Sequence, residues 1–332
     1  MVAIQAVRSH NAALKDLGPG LVAVFVGGTS GIGLSTAREF VRNTTSPRLY
    51  LVGRNQEEAT KIAQEFDQIN PESKTTFVKA DLSLLRNVDK ACSEIQAKEP
   101  KINLIFMTCG YFTTKGRQET AEGLDRKFSL HYYARWRFAQ NLLPQLTAAA
   151  TSDPLSRVVS VLDPMIRSNL VLDDLSLKTH FSLSNCAAHA CGFSDFAAEE
   201  LAAANPNTSF IHAYPGLVNT GLANTFGPIL RVGATILMAA LKPFAVPLTE
   251  SGERHLYAAT NQAYAPKAKA GEDAALGSDG VKGSGAYWLS WNGERMDSDR
   301  LKGYRAQGLG KTIWAHTLEV FDKICGTEGG KY

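Results

Sequence analysis

Long apolar runs, paired cysteines and an excess of one charge are all missing from this sequence. The most apolar stretch, Pro228–Leu248, is interrupted by Arg231, Lys242 and prolines. Its unbroken part, Val232–Leu241, is too short for a bilayer, so no membrane span is expected. The five cysteines (Cys92, Cys109, Cys186, Cys191 and Cys325) form an odd set without a C-x-x-C pair. That suits reduced thiols in a cytoplasmic protein better than a secreted disulfide framework. Cys186, His189 and Cys191 lie close in sequence, but helix positions i and i+5 diverge, so packing is expected there and no metal. Lys and Arg total 35 against 32 Asp and Glu, a net charge of +3, and no basic run reaches four residues. Nucleic acid is therefore not an expected partner.

What is present is ordinary globular composition, 44% apolar, 20% charged and 9% aromatic, over 332 residues. Disordered, collagen-like and disulfide-scaffold proteins are excluded. The first twenty residues carry His, Asn, Lys and Asp where a signal peptide needs an apolar run, and they read as a short helical arm. From Leu21 onward β-branched runs alternate with helical segments. Strands are expected at Leu21–Val26, Arg48–Val52, Thr75–Lys79, Ile102–Met107, Arg157–Leu162, Ser209–Tyr214 and Gly285–Trp291. Helices are expected at Gly33–Asn43, Gln56–Ile69, Arg86–Ala97, Ala121–Leu146 and Ala187–Ala204. This alternation predicts an α/β fold, a Rossmann-type doubly wound parallel sheet in a single domain (21–332) with a C-terminal extension. The stretch 266–283, rich in Gly, Ala, Lys and Asp, reads as an exposed loop.

Directly after the first expected strand comes Gly27-Gly28-Thr29-Ser30-Gly31-Ile32-Gly33, and then a helix. Strand, glycine loop and helix is the context a dinucleotide pyrophosphate requires. Glycines let main-chain N–H groups approach it, and the positive end of the helix favours its charge. At the end of the second strand, where an acid would hold the ribose 2′-hydroxyl of NAD, stand Arg54 and Asn55. An arginine fork suits a 2′-phosphate, which points to NADP.

Through these residues the sequence resembles the short-chain dehydrogenase/reductase family, whose loop has the form TGxxxGxG, with Val26 in place of the Thr. The resemblance continues with Asp81-Leu82 after the third strand, which implies an adenine contact. It continues again with Pro215-Gly216-Leu217-Val218-Asn219-Thr220 after the sixth, where Thr220 is implied to contact the nicotinamide amide. EGLDRKF and FSLSNCAA resemble the retinol-dehydrogenase-like branch and divergent fungal biosynthetic members. By the same resemblance the family's proton machinery is missing. Ala187 and Cys191 occupy the positions of its Tyr and Lys, Asp163 that of its Ser and His131 that of its Asn, and of the turn after the fourth strand only Gly110 remains.

His131 titrates near neutrality and Asp163 could orient it, so the two form a candidate acid–base pair, set against a helix hydrogen bond and a turn cap as their alternatives. His189, about 200° around the helix from Ala187, should face away from the cleft, and Tyr132 and Tyr133 should lie in the core. The segment 226–248 corresponds to the family's substrate cover, and its apolar content favours a small lipophilic substrate. The expected function is an NADP-dependent oxidoreductase acting on an activated enone, quinone or iminium, plausible in fungal secondary metabolism. A non-redox dehydratase, isomerase or cyclase and an NADPH-binding pseudoenzyme remain as alternatives, and a homodimer is compatible with the sequence.

Overall fold

A computed structural model describes residues 1–111, 113–162, 168–218, 245–326 and 329–332. Its strands are β1 (Val22–Val26), β2 (Arg48–Gly53), β3 (Lys74–Lys79), β4 (Leu104–Met107), β5 (Arg157–Val161), β6 (Ser209–Ala213) and β7 (Ala286–Leu289). They form one 7-stranded sheet in the order β3-β2-β1-β4-β5-β6-β7, every neighbour parallel. The order reverses between β1 and β4, and a doubly wound sheet opens its ligand crevice at such a point, beyond the strand carboxyl ends.

The central strands β1 and β4 read as continuous apolar runs because both faces are covered, while β3, at the sheet edge, is only partly buried. Along β1, Val22, Val24 and Val26 enter one core while Ala23 and Phe25 enter the other. Helices α2 (Gly31–Asn43) and α3 (Gln56–Ile69) contribute Phe40, Val41, Ile62 and Phe66 to the second core. Helix α4 (Leu85–Gln96) contributes Val88, Cys92 and Ile95 to the first.

The helix expected over Ala121–Leu146 is broken into pieces. Asp125 accepts the Phe128 N–H at 2.9 Å and starts α5 (Arg126–Phe128), which passes through a π-helical turn (Ser129–Tyr133) into α6 (Ala134–Asn141). A new helix, α7 (Leu143–Ser152), then begins with a proline in its first turn, where the missing N–H costs nothing. Helix α8 (Leu183–Ala204) is capped by Ser182, whose hydroxyl accepts the Asn185 N–H at 3.0 Å.

Further helices were not anticipated as separate elements. Helix α9 (Leu248–Thr260) crosses α2 closely, since a Cβ at Gly252 would lie 2.4 Å from Ser35 Oγ. Helices α10 (Asp299–Ala306) and α11 (Leu309–Cys325) follow β7, and Leu301, Ile313, Val320, Phe321 and Ile324 join the first core. At the N-terminus α1 (Ile4–Ala12) is fastened to α9 by Arg8 on Glu253 and by Asn11 Nδ2 donating to Glu253 O. The stretch 266–283 is largely exposed, tethered by buried Ala274 and Ser278. Most of the expected substrate cover lies outside the described residues. No described helix is long and apolar enough to cross a membrane.

Candidate active site

The glycine loop is shaped by close backbone approach. Gly27 has φ +91°, and a Cβ there would fall 2.8 Å from Cys109 N and 2.9 Å from Thr108 Oγ1. At Gly33 a Cβ would lie 2.6 Å from Gly27 O. The Thr108 hydroxyl donates to Gly27 O at 3.1 Å, so the β1–α2 turn is tied to the end of β4. Ser30, the residue before α2, forms no side-chain cap, and the first turn holds no acid. The helix thus presents its positive end and uncapped N–H groups at the crevice, a cradle that fits a pyrophosphate. Thr29 packs beside Gly53, where a Cβ would sit 3.3 Å from Thr29 Oγ1, and Gly31 and Ile32 form the half-exposed start of α2.

Next to the cradle, Arg54, Val78, Asp81, Asn87 and Lys90 help to line a cleft of ≈ 380 Å³. Arg54 is exposed, and Asn55 caps α3 by accepting the Glu58 N–H at 3.2 Å. Burial opposes ionisation of Asp81. Even so, hydrogen bonds from the Ser83 N–H and hydroxyl, helped by the charges of Arg126 and Arg54, hold its pKa below the usual carboxylate value. Leu82 is buried beneath it. Arg54 and Asp81, after β2 and β3, thus line one cleft, and Thr29 of the glycine loop packs beside Gly53 at the end of β2. After β6, Gly216, with φ +70°, closes a turn against the Trp291 ring, and Val218 pairs with Val246. Thr220 and Asp163 lie outside the described residues.

His131 falls within the π-helical turn, and its Nε2 accepts the Tyr111 N–H at 3.2 Å. Gly110 is needed for this approach, because a Cβ there would lie 2.5 Å from the same nitrogen. Burial, reinforced by the positive charges of Arg135 and Lys127, lowers the His131 pKa to about 3. At neutral pH the ring is uncharged, and the nitrogen that meets the β4 loop has no proton to give. In this arrangement the ring holds main chain. His189 is buried, with Nε2 accepting the Val171 N–H at 2.8 Å and its ring 4.8 Å from that of Phe193, an environment of packing. Tyr132 and Tyr133 are fully buried.

On α8, Ala187 is half-buried and Cys191, one turn on, is 2% exposed. Neither can act as the family's Tyr or Lys. The cation of this region comes from α6 instead. Arg135 is 1% exposed, and its Nη1 donates to Ser160 Oγ at 2.9 Å and to Val161 O at 2.7 Å, while Nη2 donates to Cys109 O at 2.6 Å. Burial lowers its pKa, opposed by Cys109 and Cys191, the thiols whose potential it feels. Sequence reading missed Arg135. The available signal was a lone Arg in the apolar run Tyr132-Tyr133-Ala134-Arg135-Trp136, one helical turn after His131.

Comparison with known proteins agrees with this geometry. The family model described as short chain dehydrogenase matches residues 21–228. An oxidoreductase of Emericella nidulans is 42% identical, covering 97% of this chain and 99% of its own length. The short-chain dehydrogenase/reductase SAT2 of Stachybotrys chartarum is 30% identical over 98% of both chains. Among solved structures, the NADPH-bound carbonyl reductase from chicken fatty liver superposes with a TM-score of 0.56 at 16% identity, covering 85% of this chain and 100% of its own. The chain belongs to the short-chain dehydrogenase/reductase family.

Proposed function

We propose that this chain is an NADP(H)-dependent oxidoreductase that reduces a small lipophilic acceptor whose carbon is already electrophilic, an enone, quinone or iminium, within fungal secondary metabolism. The reading is supported by a glycine loop that leads into the uncapped start of α2, together with an α8 that bears Ala187 and Cys191 in place of a proton donor and its lysine. A strongly electrophilic carbon accepts hydride without a protein acid polarising its oxygen, whereas an unactivated ketone does not.

When bound, NADPH supplies the hydride. The N–H groups of Gly27–Gly33 at the start of α2 would hold the pyrophosphate, and Arg54 would receive the 2′-phosphate. Asp81 and Leu82 would border the adenine, and Gly110, Pro215, Gly216 and Val218 would serve the nicotinamide end. His131 is a positioning residue that fixes the main chain at Tyr111. Arg135 is another, locking the ends of β4 and β5 and giving them a fixed positive potential.

Calorimetry with NADPH and NADH tests the cofactor assignment. Charge-assisted bonds contribute about 1.5–3 kcal/mol. Because Arg54 is exposed, the lower end applies, roughly tenfold in favour of NADPH. Arg54→Ala should erase that preference, and equal affinity of the unaltered protein for both nucleotides would refute the NADP assignment.

A further inference from the structure

Between α8 and β6 lies a buried acid–imidazole pair for which the fold alone gives no use. Asp195 on α8 and His212 on β6 are each 1% exposed, and Asp195 Oδ1 meets His212 Nδ1 at 2.8 Å. The His212 ring stacks on Trp288 of β7 at 6.3 Å with an interplanar angle of 14°. Asp195 Oδ2, His212 Nε2 and Trp288 Nε1 are all buried without a hydrogen-bond partner. Three orphaned polar atoms on neighbouring side chains call for internal water, because a buried polar group left dry is destabilising.

The position of the pair relates it to the active site. His212 is in register with Ser160, the residue whose hydroxyl Arg135 holds, and neighbouring strands are only about 4.8 Å apart. Each is one residue from the end of its strand. On α8, residues Ala187, Cys191, Asp195 and Glu199 follow at four-residue spacing, which makes a stripe of roughly 6 Å steps that winds about 40° around the helix at each step. The outer end of that stripe reaches the surface, where Glu199 accepts from Arg305 at 2.7 Å and from the Ser278 hydroxyl at 2.7 Å. The groups bearing on the pair are Cys191 and Glu199 from α8, Trp288 from β7, Arg305 from α10 and, through Ser160, Arg135 from α6.

Resting on the hydride-transfer reading, we propose that the Asp195–His212 pair, with water at His212 Nε2, is a proton store that takes its proton from solvent at the Glu199 end and releases it toward the cleft. Hydride addition to a quinone or enone leaves an oxyanion. His212 gives up one Nε2 proton through water to that oxygen, Asp195 retains the Nδ1 proton bond, and solvent reprotonates the imidazole. The net reaction consumes one acceptor, one NADPH and one proton. Hydride addition to an N-alkyl iminium yields a neutral amine and needs no proton, so that reaction bypasses the store.

This difference supplies the test. The unaltered protein, Asp195→Asn and His212→Gln are compared in single turnover with NADPH, using menadione and N-methyl-3,4-dihydroisoquinolinium as acceptors, alongside melting temperature and NADPH affinity. A store predicts that the menadione-to-iminium rate ratio falls by about 100-fold or more in both variants, with the solvent isotope effect on menadione reduction altered and NADPH affinity kept. A merely structural pair would leave that ratio unchanged and move only the melting temperature, which overturns the proposal. Nitrogen NMR of histidine-labelled protein gives a readout without turnover. The His212 imidazole N–H should exchange with solvent deuterium far faster than global unfolding allows, and exchange limited by global unfolding overturns the store. If neither acceptor is reduced while His212 exchanges in this way, the hydride reading fails and the pair stands as a proton-exchanging site.

Discussion

Replacing Arg135 by Met removes the clamp between β4 and β5 while keeping much of the side-chain volume. The two carbonyls of Cys109 and Val161 and the Ser160 hydroxyl then lose their donor inside a closed environment. An abandoned buried acceptor costs about 1–3 kcal/mol. Relief from burying a guanidinium among neutral acceptors offsets part of the sum, leaving an expected loss of roughly 3–5 kcal/mol. Unfolding entropy of about 2.1 cal/mol/K per residue over 332 residues makes that a fall of roughly 4–7 °C in melting temperature. Arg135→Lys restores the charge and one donor but not the fork, so it should recover less than half of the lost stability. Scanning calorimetry supplies the stability, and NADPH titration with quinone turnover supplies the function. Turnover should drop more than NADPH affinity, because the clamp fixes the ends of β4 and β5 and not the glycine loop. An Arg135→Met protein with unchanged melting temperature and turnover would refute both the structural and the electrostatic role.

Acid should weaken the fold well above the carboxylate range. Burial lowers His131 to about 3 and His189, His255 and His316 to about 4, so these rings are neutral when folded and protonate near pH 6.5 when unfolded. The unfolded state therefore gains protons first as pH falls, and stability should drop from about pH 6.5 toward 4 at up to about 1.4 kcal/mol per unit for each ring. Urea unfolding at pH 7 and 5 measures it, and equal stability at both would contradict the depressed values. Installing the family's lysine should not restore the family's chemistry. Cys191→Lys places a second cation at a 2% exposed position that already feels Arg135. At least about 2 kcal/mol of stability should be lost, and a melting temperature equal to that of the unaltered protein would contradict the placement of Arg135.

The sheet was legible from the chain because its central strands are buried on both faces and so carry apolar runs, as Val22–Val26 and Leu104–Met107 illustrate. The glycine loop was legible for a stricter reason, since Gly27 and Gly33 approach main chain too closely to carry a Cβ. Other features depend on partners distant in sequence. Nothing around His131 announces that its acceptor nitrogen meets the Tyr111 N–H across the β4 loop. A single arginine in an apolar helical run resembles a surface residue until Cys109, Ser160 and Val161 converge on it. Asp195 and His212 belong to different elements and became a pair only when α8 settled over β6. The continuous helical pattern through Ala121–Leu146 concealed both the π-helical turn and the restart at Leu143, which are set by local hydrogen bonding rather than by apolar spacing.

The central claim is that a complete dinucleotide cradle works here without the family's proton donor, on an acceptor that is already electrophilic. The most direct test follows NADPH consumption at the nicotinamide absorbance with purified protein and two acceptors in parallel, menadione and cyclohexanone. Consumption with menadione and none above background with cyclohexanone is the predicted result. Comparable turnover of cyclohexanone would contradict the account, since nothing at Ala187 or Cys191 can protonate the alkoxide that an unactivated ketone becomes.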